Sequence, residues 1–97
     1  MRLIWNPQAY DDRAAIMDYI AEDSPAAALD VDEAIEHQAD SLVQHPEIGR
    51  RGRVRGTREL VIVRTPYIAV YVVDDEAEII EIVRVLHGAQ QWPPAQS

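Results

Sequence analysis

Twice in its first 25 residues this chain places a capping side chain directly before proline, as Asn6-Pro7 and again as Ser24-Pro25. An asparagine or serine oxygen can accept from the free N–H groups of a first helical turn. Proline suits the position just inside, where its missing N–H is not needed. Each pair therefore predicts a helix start. In the first segment Asp11 and Asp12 suit the positive end of the helix dipole. Tyr10, Met17 and Ala21, with Ile16 and Ile20 beside them, recur at helical spacing through about Glu22. In the second, Ala28, Val31, Ile35 and Leu42 give the stripe and Gln38 fills the gap. That helix must end before Pro46, because a residue preceding proline resists the α region. Few residues separate the two helices, which predicts an antiparallel hairpin.

The pattern changes after Gly56. Arg58–Arg64, Tyr67–Val73 and Ile79–Leu86 are β-branched or aromatic runs separated by Thr65-Pro66 and by Asp74-Asp75-Glu76-Ala77, the signature of a β-meander. Leu3-Ile4-Trp5 is a further short strand. The predicted order is β-α-α-β-β-β, an α+β fold of one domain over residues 1–97, with an antiparallel sheet, the hairpin on one face, and an irregular tail over 88–97. Strand alternation places Ile80, Ile82 and Leu86 on one side of the last strand and Ile79, Val83 and Val85 on the other. Both faces are thus apolar, while two helices can cover only one. The expectation is an open apolar face awaiting a partner polypeptide or a second copy. In the competing reading the tail folds back, with Trp92 and the prolines as a lid.

A 97-residue chain that is 47% hydrophobic is enough for one small core. No apolar run approaches the roughly 20 residues that span a bilayer, and Met1–Asn6 lacks a signal peptide's apolar segment. There is no cysteine, which excludes disulfides, thiolate catalysis and cysteine-bound zinc. A cytosolic protein without membrane attachment is expected. Charge is the most uneven property. Residues 49–64 hold Arg50, Arg51, Arg53, Arg55, Arg58 and Arg64 against the single acid Glu59, a local +5 in a chain of net charge −8. The whole should repel nucleic acid and anionic membrane, while the band suggests a local site for an anionic group. All nine basic residues are arginine; since Arg2 and Arg13 outside the band are arginine too, this reads as composition rather than function.

Guanidinium groups suit phosphate, and Gly49, Gly52 and Gly56 would let backbone approach a ligand. No Walker or dinucleotide pattern accompanies them, so no nucleotide cofactor is expected. The plainer alternative is a solvated loop paired with the chain's own acidic helices, and a third is recruitment of an acidic peptide. His87 is a candidate acid or base at a strand end. Strict strand alternation sets it opposite Arg84, while fraying at Leu86-His87-Gly88 would change that, so the sequence leaves their pairing open. Glu33, His37 and Asp40 share a helix face, better explained as an exposed acidic surface than as a metal site. Ser24, Ser41 and Ser97 give no support for a serine triad.

Six segments in order resemble the RelE/ParE family of bacterial type II toxins: Trp5-Asn6-Pro7-Gln8-Ala9, Ser24-Pro25-Ala26-Ala27, Leu42 to Arg50, Thr57-Arg58-Glu59-Leu60, Pro66 to Tyr71, and Val83-Arg84-Val85-Leu86-His87-Gly88. The resemblance spans nearly the whole chain. It implies a growth-arresting toxin, neutralised in a hetero-oligomer by a small antitoxin that also supplies the DNA-binding part; the toxin alone would not bind operator DNA. Tyr67, Tyr71 and Trp92 are the expected antitoxin-facing residues. The family's RelE-like branch cleaves mRNA on the ribosome without metal, and its ParE-like branch poisons DNA gyrase without that catalytic set. Here Ile68 stands where mRNA-cleaving members often carry arginine, and isoleucine cannot stabilise a phosphorane. That departure, and the net charge, favour the ParE-like reading. In the alternative, ribosome-dependent cleavage, His87 would be the acid or base and Arg58, Arg64 or Arg84 would hold phosphate.

Overall fold

The computed structural model describes residues 1–94. Five strands and two helices follow in the order β1 (Arg2–Trp5), α1 (Pro7–Ala21), α2 (Pro25–Asp40), β2 (Arg50–Arg51), β3 (Arg58–Val61), β4 (Tyr67–Asp74) and β5 (Ile79–His87), with a short 3-10 turn over Ser41–Val43 after α2. Both helix starts form as the sequence predicts. The Asn6 side chain accepts from the Ala9 N–H at 2.9 Å, and that of Ser24 from the Ala27 N–H at 3.1 Å. Arg13 stitches the helices together, its guanidinium donating to Asp32 at 2.9 Å and to Glu36 at 3.0 Å while lying 4.5 Å over the Trp5 ring.

The sheet runs β1-β5-β4-β3-β2. The meander is antiparallel as expected, but β1 lies parallel to β5, so the sheet is mixed. A parallel neighbour needs a long crossover, and the helical hairpin with β2–β4 provides it. The two-residue β2, not anticipated from sequence, pairs Arg50 with Glu59 and Arg51 with Arg58. The run expected to reach Arg64 leaves the ladder after Val61. Gln38 explains why: its side-chain amide accepts from the Val63 N–H at 2.7 Å and donates to the Val63 carbonyl at 3.2 Å. A helix side chain thereby replaces a neighbouring strand, and Arg64 turns the chain at φ 70.

A bulge decides which side chains face the helices. Val70 pairs with Arg84 but Tyr71 pairs with Ile82, which leaves Val83 as the extra residue. Alternation resets there. Ile80, Ile82 and Val85 join Tyr67, Ala69 and Tyr71 in the core beneath Ala9, Ile35, Ala39 and Leu42. Leu86, expected beside Ile80 and Ile82, is on the far face. On the helices, Ile16 and Ile20 pack inward as expected, whereas Tyr10 is 56% exposed and rests near the Trp5 ring.

The far face is not bare. Ile68, Val70 and Leu86 are 4%, 0% and 1% exposed, although no helix covers them. The tail does. Gly88 closes on Ile68, the Arg84 guanidinium lies 5.3 Å from the Trp92 ring centre, and Arg53 donates to the Gln90 carbonyl at 3.2 Å. The expected open apolar sheet is therefore corrected: residues 88–92 fold back across it, while 95–97 of the expected irregular tail lie outside the described residues.

Candidate functional site

The arginine band is held in shape by its one acid. Glu59, 1% exposed, accepts from the Arg53 backbone N–H at 2.8 Å, the Arg53 guanidinium at 3.2 Å and the Arg50 guanidinium at 3.2 Å. Burial alone would raise its pKa. The Arg53 and Arg50 donors outweigh that and hold the carboxylate below the usual glutamate range. The pairing folds the segment between β2 and β3 into a compact loop, closed by the Gly52 N–H to the Thr57 carbonyl at 2.8 Å.

Glycines expected to admit a ligand instead admit neighbouring side chains. A Cβ on Gly49 would lie 2.5 Å from the Tyr71 hydroxyl, and one on Gly52 would collide with the Thr57 hydroxyl. Only at Gly56 is the space open. Tyr71 fixes the approach to the loop: its hydroxyl accepts from the Gly49 N–H at 2.9 Å and donates to the Pro46 carbonyl at 2.8 Å. Burial pushes this phenol upward in pKa, so it remains a donor.

Cross-strand partners share a face, which sorts the arginines. Arg50 lies with Glu59 and Val70 on the tail-covered face. Arg51 lies opposite Arg58, which pairs with Tyr71 on the helix-side face. Arg58 donates through Nη1 to the Glu47 and Gly49 carbonyls at 3.3 and 2.9 Å. Arg51, Arg53, Arg55 and Arg58, with Gly52, Gly56 and Thr57, line an open cavity of 540 Å³. Among the described residues no acid from the helices pairs with the band. Arg64 stands apart, in a 450 Å³ groove beside Asp30, Val31 and Gln38 of α2.

His87 and Arg84 do not meet. His87 pairs with Tyr67, with the two rings 5.7 Å apart edge to face, and its Nδ1 accepts from the Ala89 N–H at 3.1 Å. Arg84 pairs with Val70 on the opposite face, and Asp12 takes its guanidinium at 2.7 and 3.0 Å. That carboxylate raises the Arg84 pKa further, against the opposing effect of burial. Sequence reasoning placed Asp12 with the helix dipole; its partners are instead Arg84 and the Val85 N–H. Of the residues expected to face an antitoxin, Tyr67 is 7% and Tyr71 0% exposed beneath the helices, so neither offers surface. Trp92 is half-buried, and its Nε1 is enclosed without a partner among the described residues.

Two helices on a five-stranded mixed sheet, with an arginine loop at one edge, define an α+β domain. Residues 3–92 match the model of the ParE toxin of the type II toxin–antitoxin system parDE, and the chain belongs to that family. It is 39% identical over 92 residues to the Sinorhizobium fredii protein Y4kP, covering 95% of this chain and 93% of that one. It is also 39% identical over 89 residues to Toxin RelE2 of Caulobacter vibrioides, covering 92% and 97%. Its fold matches a chain of the chromosomal ParDE system from P. aeruginosa with a TM-score of 0.79 and 32% identity, over 90% of this chain and 95% of that chain. A chain of the intact E. coli RelBE complex matches with a TM-score of 0.67 at 16% identity, over 93% and 98%, a likeness of fold alone.

Proposed function

We propose that this toxin arrests growth by inhibiting DNA gyrase, as a binding protein rather than a nuclease, and that a cognate antitoxin neutralises it. The observation that carries this reading is the separation of His87 from Arg84, which lie on opposite faces of β5. Metal-independent RNA cleavage needs a proton-transfer group and phosphate-stabilising charge at one reacting centre. Here Arg84 is committed to Asp12 on the other face of β5, and Ile68, buried on that face, supplies no charge. The partners recorded for His87 are Tyr67, Ala89 and Gln90.

The structural relatives include toxin–antitoxin complexes, and the surface has room for such a partner. Leu29, Val61 and Val63 are 61%, 49% and 63% exposed. Val63 and Arg64 line the groove against α2, so an amphipathic segment carrying one acid could engage both chemistries there. The test is induction in cells. The proposal expects DNA-damage signalling and relief on co-expression of the adjacent antitoxin gene. Growth arrest without damage signalling, accompanied by cut mRNA, would point to the ribosome-dependent nuclease.

A further inference from the structure

The arginine loop contains a charge conflict that no ion pair among the described residues resolves. Arg51 stands directly across the ladder from Arg58, and like charges so placed destabilise a sheet. The segment's single acid cannot relieve it, because Glu59 is buried on the other face and already serves Arg50 and Arg53. Neither Arg51 nor Arg55 makes a side-chain hydrogen bond or ion pair among the described residues. Arg58 contacts the Glu47 and Gly49 carbonyls through Nη1 alone, which fixes its position and leaves its other donors free. Glu47 and Asp75 flank Arg58 in an adjoining 220 Å³ cavity without pairing with it, and so bound the site on that side.

We propose that Arg51, Arg55 and Arg58 form a binding site for the phosphodiester backbone of nucleic acid. Guanidinium forks on a fixed loop match phosphate oxygens in charge and geometry. The cavity lining is arginine, glycine and threonine with no apolar side chain, which fits a wholly polar ligand better than an amphipathic peptide that must bury apolar anchors. The site is four residues along β4 from the Tyr67 row that carries His87, and on the face opposite Arg84. A chain of net −8 would hold free nucleic acid weakly, so the contact serves a backbone already presented by a protein target. That this backbone is DNA rests on the gyrase reading; that the site takes a phosphodiester does not.

Anisotropy of a short fluorescein-labelled DNA duplex, titrated with the purified chain over a range of salt, tests it. Three phosphate contacts give saturable binding with a log–log salt slope of about −2 to −3. The double variant Arg51→Gln/Arg55→Gln should bind about tenfold more weakly with a slope near about −1. Arg2→Glu changes the net charge by the same two units at an exposed residue elsewhere and should stay near wild type. Absence of saturable binding at low salt, or equal weakening by Arg2→Glu and the double variant, overturns the site. Displacement by polyglutamate as effective as by unlabelled duplex also overturns it, assigning the cavity to an acidic peptide. Preference for RNA of the same sequence would keep the site and remove the DNA assignment. Wild type that binds duplex yet leaves gyrase supercoiling untouched would sink the gyrase reading and leave the site standing.

Discussion

Asp12 and Arg84 lock the first helix to the last strand. β1 ends at Trp5, so among the described residues the upper half of β5 has no strand on that side. Asp12 occupies the vacancy, accepting the Arg84 guanidinium at 2.7 and 3.0 Å and the Val85 N–H at 2.8 Å. A carboxylate thus finishes the sheet edge where backbone would otherwise be unsatisfied. The same pair holds Arg84 on the face of β5 opposite His87.

Asp12→Ala should therefore destabilise the fold strongly. It strands a guanidinium whose side chain is 17% exposed and a strand N–H, at a cost of about 2–4 kcal/mol. Urea unfolding would show the loss as a lowered midpoint. A change within about 0.5 kcal/mol, the usual effect of a surface substitution, would contradict this account of the edge.

Tyr71→Phe removes only the hydroxyl, yet leaves the Gly49 N–H and the Pro46 carbonyl without their partner. A loss of about 1–3 kcal/mol is expected. Amide exchange should quicken at Gly49 while the β4–β5 ladder stays protected. Uniform quickening across the sheet would show that the hydroxyl serves the whole core rather than the loop approach.

Glu59 gives a pH prediction with a definite sign. Its carboxylate is held below the ordinary glutamate value by Arg53 and Arg50 despite burial. Its stabilisation is therefore complete above the unfolded pKa, about 4.3, and disappears as pH falls through the lower folded value. Glu59→Gln should cost about 1–3 kcal/mol at neutral pH, and its deficit against wild type should shrink below about pH 4. A deficit constant down to pH 3 would show that the charge of Glu59 contributes nothing.

Trp92→Ala tests the folded-back tail. Trp92 lies against Arg84 on the face that buries Ile68, Val70 and Leu86, so the variant should bind a hydrophobic dye more strongly while keeping its far-ultraviolet dichroism. Unchanged dye binding would mean that another part of the chain covers these three residues.

How much of this was legible beforehand depended on whether each signal was local. Asn6-Pro7 and Ser24-Pro25 announced their helices because a cap and its target N–H lie three residues apart. The three runs of the meander announced themselves through β-branched content and short turns. The parallel placement of β1, the bulge at Val83 and the early end of β3 depend on partners far along the chain: Ile79–Ile82, Val70–Tyr71 and Gln38. None leaves a local mark. The bulge mattered most, since one extra residue moved Leu86 to the far face. His87 remained opposite Arg84 because both lie beyond it. The arginine band was plain in sequence, but its division was not. Only register shows that Arg50 and Arg53 serve Glu59 while Arg51 and Arg58 face each other.

The proposed mechanism turns on whether His87 does chemistry. Wild-type protein and His87→Ala should be compared in a gyrase supercoiling assay and in a ribosome-bound mRNA cleavage assay. The account predicts that both proteins block supercoiling to within about twofold and that neither cuts mRNA, since a side chain outside the reacting centre changes transition-state stability little. Cleavage of ribosome-bound mRNA by wild type, lost in His87→Ala, with supercoiling untouched by either, would contradict it.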